Sequence, residues 1–316
     1  MYRIGIDLGG TNIAVGLVNE EHKIVVKKTT PTLANREPEA IVADMARLCL
    51  EACAEQGIDI KDVANIGIAT PGVANPVNGC VEYTNNLPFR RFPIVDILAN
   101  DLGIDRSIVK IANDANAAAW GEAVAGAAKG SNSSIMVTLG TGVGGGVIIN
   151  NSILVGFNSA AGELGHIVIE QDGVPCSCGR RGCWEAYSSA TALIRMTKEA
   201  VEECKKSGRY TSMLKAERIS GRTACDAMRA GDEVGKEVYD KYVKYLATGI
   251  ANLVNIFQPE VISLGGGVSN EGQSLIDAIL PAVRAEQYGS AFVEHTQIRI
   301  AQLGNDAGII GAAALE

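Results

Sequence analysis

The sequence predicts an α/β fold with two domains, and three observations support this prediction. The chain has 316 residues, which corresponds to two domains at ~150 residues each. Predicted strands, recognised by alternating or continuous apolar residues, are interleaved with longer segments of helical periodicity. A strand, a turn rich in Gly and Thr and a returning strand occur near the N-terminus and again about 130 residues later, as a weak internal repeat of pattern only.

The predicted elements alternate along the chain as an α/β fold requires. In the first half, the patterns predict strands over residues 2–7, 13–18, 23–28, 63–69 and 108–112, and helices over 38–56 and 115–128. In the second half, they predict strands over 134–139, 147–150, 261–264 and 297–303, and helices over 185–206, 223–230, 232–257 and 307–315. No Pro-rich or Ser-rich linker separates the halves, so we expect the two domains to share a cleft.

Charge and composition exclude several classes of protein. The chain has 28 Lys and Arg residues against 36 Asp and Glu residues, and this net charge of −8 argues against nucleic acid or an anionic membrane as a partner. Its 47% hydrophobic content is typical of a packed globular protein. No apolar run reaches the ~18 residues of a membrane span, and Met1, Tyr2 and Arg3 lead straight into a strand rather than a signal peptide. We therefore expect a cytoplasmic protein with no nucleic-acid and no membrane partner.

Three glycine-rich turns, each after a predicted strand, indicate a nucleotide site. They contain Gly9, Gly10, Thr11 and Asn12, then Gly140 to Gly146 with Thr141 and Gly142, and finally Gly265, Gly266 and Gly267. A missing Cβ lets backbone N–H groups approach a phosphate, and the Thr hydroxyls are further donors. Asp7 stands beside the first turn, where its carboxylate can hold Mg²⁺ that bridges phosphates. Alternatively, Asp7 is a strand-end residue that accepts hydrogen bonds from the turn.

Neither common phosphate-binding motif explains these turns. Gly140, Gly142 and Gly145 match the spacing of the dinucleotide fingerprint, but that motif requires a following helix, and residues 146–149 have the pattern of a strand. No G-x-x-x-x-G-K-[ST] segment occurs, which excludes a P-loop. The pattern therefore favours phosphate loops carried by hairpins in two similar halves.

One short segment has the composition of a metal site. His166, Cys176, Cys178 and Cys183 offer one imidazole and three thiols, a set that suits tetrahedral Zn²⁺. Because this set leaves no open coordination position, we expect the zinc to be structural. The alternative, reduced cysteines scattered in the core, agrees poorly with three thiols in eight positions and a nearby histidine. The remaining thiols are expected to be small core residues, namely Cys49, Cys53, Cys80, Cys204 and Cys225.

Four motifs together resemble those of the ROK family (repressors, open reading frames, kinases). They are Asp7-Leu8-Gly9-Gly10-Thr11, Asn113-Asp114, Gly162-Glu163-x-Gly165-His166 and Cys176-x-Cys178-Gly179-x-x-Gly182-Cys183-x-Glu185. The resemblance covers essentially the whole chain and is greatest to the bacterial glucokinases of the family. It implies the two-domain actin-like, ribonuclease-H-like α/β fold of sugar kinases, with a structural zinc site. We expect a small domain of residues 1–113 with a C-terminal helix at about 304–316, and a large domain of residues 114–303 that carries the zinc site.

The resemblance also implies a sugar site and a general base. Asp114 would accept the proton of the sugar hydroxyl, although an Asp before an Ala-rich helix is also a good N-cap. Carried over by motif, the sugar ligands are Gly72, Asn86, Asn113, Asp114, Glu163, His166 and Glu185. His166 would bind zinc through one ring nitrogen and the sugar through the other. The turn at residues 265–267 would lie on the adenosine side of ATP, or alternatively form a close helix–strand contact.

The activity implied is ATP-dependent, Mg²⁺-dependent phosphorylation of a hexose, with glucose converted to glucose 6-phosphate as the leading expectation. N-acetylmannosamine, N-acetylglucosamine and fructose are alternative substrates, because the same pocket residues are common to those relatives. A sugar-responsive transcription repressor is the alternative of another class. We do not expect it, because such repressors carry a helix-turn-helix domain before the first glycine turn, and only six residues precede Asp7. A homodimer or homotetramer is implied by the resemblance alone.

Overall fold

Strands and helices alternate along most of the chain in a computed structural model that describes residues 1–316. The strands are β1 (Arg3–Leu8), β2 (Asn12–Val18), β3 (Ile24–Pro31), β4 (Ile66–Thr70), β5 (Val73–Asn75), β6 (Cys80–Tyr83), β7 (Arg90–Phe92), β8 (Val109–Asn113), β9 (Ser134–Leu139), β10 (Val143–Ile149), β11 (Ser152–Ile153), β12 (Val261–Gly265) and β13 (Gln297–Ile300). The helices are α1 (Pro38–Gln56), α2 (Ile94–Leu102), α3 (Asp114–Ala125), α4 (Glu185–Ser188), α5 (Ala190–Ser207), α6 (Thr223–Arg229), α7 (Glu233–Phe257), α8 (Gln273–Glu286) and α9 (Ala307–Ala313). None of these helices has both the length and the apolar character that crossing a lipid bilayer requires.

Two five-stranded sheets share one topology. The first has the order β3-β2-β1-β4-β8 and the second the order β11-β10-β9-β12-β13. In the first sheet β1, β2 and β3 pair antiparallel, whereas β1, β4 and β8 pair parallel. In the second sheet β10 and β11 are antiparallel, and β12 and β13 are parallel. The weak repeat seen in the sequence is therefore a repeat of sheet topology.

The parallel strands of the first sheet place several predicted site residues at one edge of the sheet. Asp7 of β1 is in register with Ala69 of β4, and Thr70 of β4 is in register with Asn113 of β8. The carboxyl ends of parallel strands meet at the same edge of a sheet, which is where α/β proteins bind ligands. Asp7, the Thr70-Pro71-Gly72 turn and Asn113 therefore share that edge.

Opposite faces of the first sheet are covered in different ways. On one face, α1 and α2 bury apolar side chains against the strands in a continuous core. On the other, α9 lies against β1, β4 and α3 with backbone touching backbone. A Cβ atom on Gly5 would stand 1.8 Å from the carbonyl oxygen of Ile309, and one on Gly67 would stand 1.8 Å from that of Ala312. Only glycine permits this approach, so α9 fixes the position of these strands.

The chain divides into two compact units. Unit 1 comprises Met1–Met136, Gly146–Gly162 and Ala301–Glu316, and unit 2 comprises Val137–Gly145 and Glu163–Ile300. Residues 114–136 and 146–162, which we expected in the large domain, lie in unit 1. The domain limits expected at residues 113 and 303 remain a prediction.

Several elements differ from those that the sequence predicts. Helix α2, helix α8 and the small sheet β5-β6-β7 were not predicted. The helix predicted over 185–206 is interrupted at Ser189, whose hydroxyl accepts the N–H of Ala192 and starts α5 as its N-cap. Strand β10 begins at Val143, so the second glycine turn is only residues 140–142 rather than 140–146. Within β10, Gly146 packs closely on α3, since a Cβ there would stand 2.6 Å from the Cβ of Ala119.

Candidate active site

Two carboxylates of unit 1, those of Asp7 and Asp114, lie close enough to influence each other. Burial, and secondly the negative charge of Asp114, raise the pKa of Asp7 to about 6, while the positive charge of Lys27 acts in the opposite direction. Asp114 itself is exposed. A divalent cation beside Asp7 would offset both the cost of burying its negative charge and its repulsion from Asp114. The residues present therefore suit a cation bound by oxygen ligands.

The cap of α3 is Asn113 rather than Asp114. The side-chain oxygen of Asn113 accepts the N–H groups of Ala115 at 2.9 Å and Asn116 at 3.2 Å. Asp114 is the first helical residue, and its carboxylate also accepts the N–H of Ala115 at 2.8 Å. The interpretation of Asp114 as N-cap is therefore wrong, because the preceding residue has the extended backbone that a cap requires.

Two other predicted sugar ligands adjoin these residues in unit 1. Gly72 accepts the side-chain N–H of Asn113 on its carbonyl oxygen at 3.0 Å. Its φ of +83° and the carbonyl of Tyr83, 2.1 Å from where a Cβ would stand, leave room for glycine only. Asn86 lies beside the first glycine turn, with its Cβ 3.4 Å from the position of a Cβ on Gly10. Gly72 and Asn113 are thus joined directly, and Asn86 and Gly10 are neighbours.

In unit 2, Glu185 contacts both the second glycine turn and the cysteine-rich segment. Its Oε2 accepts the backbone N–H of Val143 at 3.0 Å. Its Oε1 accepts the hydroxyl of Ser177 at 3.2 Å and lies 3.6 Å from the sulfur of Cys176. A Cβ on Gly142 would come within 2.3 Å of the Glu185 carboxylate, so the turn needs glycine at this position.

The second and third glycine turns are neighbours in unit 2. Gly266 has a φ of +82°, and a Cβ there would stand 2.6 Å from the carbonyl oxygen of Leu139, the residue before the second turn. The third turn thus makes a close backbone contact with the end of β9, rather than the helix–strand contact that we considered as its alternative role. This contact brings the third turn beside the second, which follows Leu139 directly.

Four side chains of unit 2 form a compact donor set for a metal ion. The ligand atoms of His166, Cys176, Cys178 and Cys183 all lie within 4.8 Å of one another. The sulfur of Cys176 is 3.7 Å from Nδ1 of His166, and the sulfurs of Cys178 and Cys183 are 3.7 Å apart. Tetrahedral zinc with bonds of about 2.3 Å has ligand–ligand edges of roughly 3.7 Å, so the donor set fits that ion.

The surroundings of the four donors affect the pKa values of the thiols and also hold the segment in place. The backbone N–H of Arg180 lowers the pKa of the Cys178 thiol, whereas burial raises that of Cys183 to about 12. Trp184 is fully buried and donates its indole N–H to the carbonyl oxygen of Tyr245 at 3.1 Å. Because Trp184 stands between Cys183 and Glu185, its burial fixes both a metal donor and a predicted sugar ligand.

Glu163 and His166 are positioned by one short 3-10 helix. This helix spans Leu164–His166, and exposed Glu163 precedes it. The guanidinium of Arg180 donates to the carbonyl oxygen of His166 at 3.0 Å. With Nδ1 of His166 directed to the cysteines, Nε2 on the far side of the ring is left to contact another group.

Two threonines that the sequence did not single out contact the glycine turns. The hydroxyl of Thr32 donates to the carbonyl oxygen of Gly9 at 2.7 Å. The hydroxyl of Thr191 donates to the carbonyl oxygen of Thr141 at 2.8 Å. No sequence signal could reveal them, because each lies more than 20 residues from its turn and belongs to no motif.

Comparisons with known proteins identify one family. The model of the ROK family matches residues 3–316. The glucokinase of Thermotoga maritima is 36% identical over 313 residues, which are 99% of this chain and 96% of that protein. The crystal structure of a ROK family glucokinase from Streptomyces griseus in complex with glucose and AMPPNP has a TM-score of 0.76 and 35% identity, over 99% of this chain and 98% of that one. The xylose repressor of Caldicellulosiruptor bescii is 28% identical, over 99% of this chain and 77% of its own length.

Proposed function

This chain belongs to the ROK family, and on that premise we propose that it transfers the γ-phosphate of ATP to the 6-hydroxyl of glucose. Similarity to glucokinases, at 36% and 35% identity, extends over 99% of the chain. The observation that carries the proposal is the placement of Asp114 at the first turn of α3. Its carboxylate is exposed there, while Asn113 performs the capping.

Asp114 acts as the general base in this proposal. It accepts the proton of the glucose 6-hydroxyl while that oxygen forms a bond to the γ-phosphorus and the bond from phosphorus to the bridging oxygen of ADP breaks. The products are glucose 6-phosphate and ADP, and the proton passes from Asp114 to solvent. Base catalysis of this kind contributes about 10²–10⁴ in rate, and the rest comes from positioning and charge neutralisation.

The proposed sugar ligands are the residues carried over by motif. Gly72, Asn86, Asn113 and Asp114 belong to unit 1, and Glu163, His166 and Glu185 belong to unit 2. Carboxylates accept hydrogen bonds from hydroxyl groups, and an amide or imidazole can both donate and accept, so the set suits a polyhydroxylated ligand. The hydrogen bond between Asn113 and Gly72 supports a preformed sugar pocket in unit 1.

The phosphates of ATP bind to backbone N–H groups of the glycine turns. The residues proposed are Gly9, Gly10, Thr11, Asn12, Thr141 and Gly142 for the phosphates, and Gly265, Gly266 and Gly267 for the adenosine side of ATP. Mg²⁺, when bound, neutralises charge on the phosphates, and Asp7 would hold it. The raised pKa of Asp7 supports this role, because a buried carboxylate beside Asp114 favours a cationic neighbour.

We also propose a structural zinc ion held by His166, Cys176, Cys178 and Cys183. The 3.7 Å spacings between their donor atoms support it. The ion, when bound, would cross-link the segment. His166 would then have its ring orientation fixed, with Nδ1 toward the cysteines and Nε2 toward the sugar.

We propose that the fold is the two-domain actin-like, ribonuclease-H-like architecture. Two sheets of the same strand order support it. We propose domain limits at residues 1–113 with about 304–316, and at 114–303, from the resemblance alone. A homodimer or homotetramer and a cytoplasmic location are proposals on the same ground.

Other hexoses and the repressor role are the competing proposals. N-acetylmannosamine, N-acetylglucosamine and fructose require the same base and the same phosphate turns, so the chemistry alone does not separate them from glucose. The greater identity to a glucokinase than to a xylose repressor, 36% against 28%, favours the kinase.

A coupled assay with ATP, Mg²⁺ and a panel of hexoses tests this proposal. We expect glucose to give the highest kcat/KM, with release of ADP and formation of glucose 6-phosphate. A tenfold preference for an N-acetylated hexose or for fructose would reassign the substrate. Absence of transfer to every hexose, by a protein that still binds sugar, would favour the repressor role.

A further inference from the structure

The first two glycine turns, at residues 9–12 and 140–142, are each held by a short segment that contains a threonine and belongs to a neighbouring element. Thr32, directly after β3, donates its hydroxyl to Gly9 and its backbone N–H to the carbonyl oxygen of Thr11 at 2.9 Å. At the start of α5, Thr191 donates its hydroxyl to Thr141. The preceding Ala190 donates its N–H to the carbonyl oxygen of Gly140 at 2.8 Å. In each turn, one carbonyl oxygen therefore accepts a hydrogen bond from a threonine hydroxyl, and a second carbonyl oxygen accepts one from a backbone N–H.

The planarity of the peptide bond converts these contacts into a constraint on the N–H groups. In a trans peptide, the C=O of one residue and the N–H of the next point in opposite directions. Holding the carbonyl of Gly9 therefore aims the N–H of Gly10 away from the anchoring threonine. In the second turn, the N–H groups of Thr141 and Gly142 are aimed away from α5 in the same way.

We infer that Thr32 and Thr191 are positioning residues for phosphate binding. Their hydroxyls hold the turns in the shape in which the N–H groups of Gly10, Thr141 and Gly142 face the phosphates. The inference rests on the proposed binding of ATP by these turns. A held turn loses little conformational freedom when phosphate binds, whereas a glycine turn without its anchor must be ordered at that moment.

Thr191 is the better residue to test, because Thr32 is fully buried and a change there also affects packing. Thr191→Val keeps the shape and removes the hydroxyl, and Thr191→Ser keeps the hydroxyl. Thr248 of α7 supplies a matched control, since its hydroxyl donates to the carbonyl oxygen of Lys244 at 3.0 Å. Thr248→Val thus removes a comparable hydrogen bond within α7, a helix that contains none of the glycine turns.

The experiment measures KM for ATP, KM for glucose and the Kd for ATP by calorimetry. For Thr191→Val we expect KM and Kd for ATP to rise about 3- to 10-fold, the effect of one lost hydrogen bond, with KM for glucose unchanged. Thr191→Ser should restore the wild-type values, and Thr248→Val should leave them unchanged. Thr32→Ser and Thr32→Val, compared at equal folded fraction, should show the same pattern.

Three results would overturn the inference. One is an unchanged Kd for ATP in Thr191→Val, and another is an equal rise in KM for glucose and ATP, which a general structural role would produce. The third is failure of Thr191→Ser to restore ATP binding. Calorimetry separates this test from the proposed function, because a wild-type protein that binds ATP without phosphorylating a hexose still reports on Thr191. A wild-type protein that does not bind ATP would overturn both.

Discussion

The side chain of Asn113 joins the cap of α3 to the turn at Gly72. Its oxygen accepts the N–H groups of Ala115 and Asn116 at 2.9 and 3.2 Å, and its nitrogen donates to the carbonyl oxygen of Gly72 at 3.0 Å. A primary amide offers donor and acceptor on one group, whereas a carboxylate offers acceptors only. The residue beside the proposed base thus holds together the end of a helix and a turn that we propose to bind sugar.

Substitution of Asn113 should separate these two roles. Asn113→Asp keeps an N-cap acceptor and loses the donor to Gly72, so we expect a higher KM for glucose and a free energy of unfolding within about 0.5 kcal/mol of wild type. Asn113→Ala should lose about 1 kcal/mol of stability as well. Urea unfolding and steady-state kinetics measure the two effects. Equal stability of the Asp and Ala variants would contradict the capping role.

Asp114→Asn should abolish most turnover and leave the fold intact. We expect kcat to fall about 10²- to 10⁴-fold, because the amide cannot accept the hydroxyl proton. The melting temperature should hold, because Asn113 continues to cap α3. Asp101→Asn, which changes an exposed carboxylate of α2, is the control and should keep full activity. Wild-type turnover by Asp114→Asn would remove the base assignment.

The raised pKa of Asp7 should appear in the pH dependence of stability. The ordinary pKa of an Asp carboxyl is 3.8, and that of Asp7 in the folded chain is raised to about 6, so the folded state binds this proton more tightly. Stability from this group is therefore lost as the pH rises from about 4 to about 6, by at most about 3 kcal/mol.

Asp7→Asn removes this pH-dependent loss of stability and also eliminates a proposed Mg²⁺ ligand. We expect the variant to gain stability relative to wild type as the pH rises from 4 to 7, and to lose Mg²⁺-dependent turnover. Urea unfolding of both proteins at these pH values, without divalent cations, gives the difference. A difference that does not change with pH would show that Asp7 titrates as an ordinary exposed carboxylate.

Cys178→Ser should release the proposed zinc ion and weaken sugar binding. Wild-type protein should contain about one zinc ion per chain, and the variant should contain almost none. KM for glucose should rise because His166 loses its anchor, as judged by elemental analysis together with kinetics. Cys80→Ser alters a thiol outside the donor set and should retain both zinc and affinity. Equal zinc content in the two variants would argue against the site.

Local sequence signals predicted most of the framework but not all of it. Strands β1, β2 and β9 have strong apolar patterns, and α1 and α7 have long periodicity. Helix α8 escaped prediction because Pro281 lies within it and residues 265–272 before it include four glycines. Helix α2 has only nine residues, too few for its periodicity to be distinctive. The break at Ser189 depends on a single cap inside a continuous helical pattern.

The candidate site was predictable where its residues are adjacent in sequence. The metal donors and the glycine turns form recognisable motifs, so spacing alone suggested their roles. The proximity of Asp7 to Asp114 depends instead on the strand order β1-β4-β8, which brings together residues more than 100 positions apart. The choice between Asn113 and Asp114 as cap depends on backbone angles that two consecutive cap-forming residues leave open.

The packing of α9 has a consequence for how tightly Asp7 and Asp114 are spaced. Gly5 and Gly67 meet the backbone of α9 on one side, and a Cβ on Gly311 would stand 1.7 Å from the carbonyl oxygen of Ala117 in α3 on the other. With main chain against main chain, no rotamer change can widen or narrow that layer. Rigid contacts between backbones therefore set the distance between the two carboxylates. Even a single methyl group added to α9 at residue 311 would misalign them.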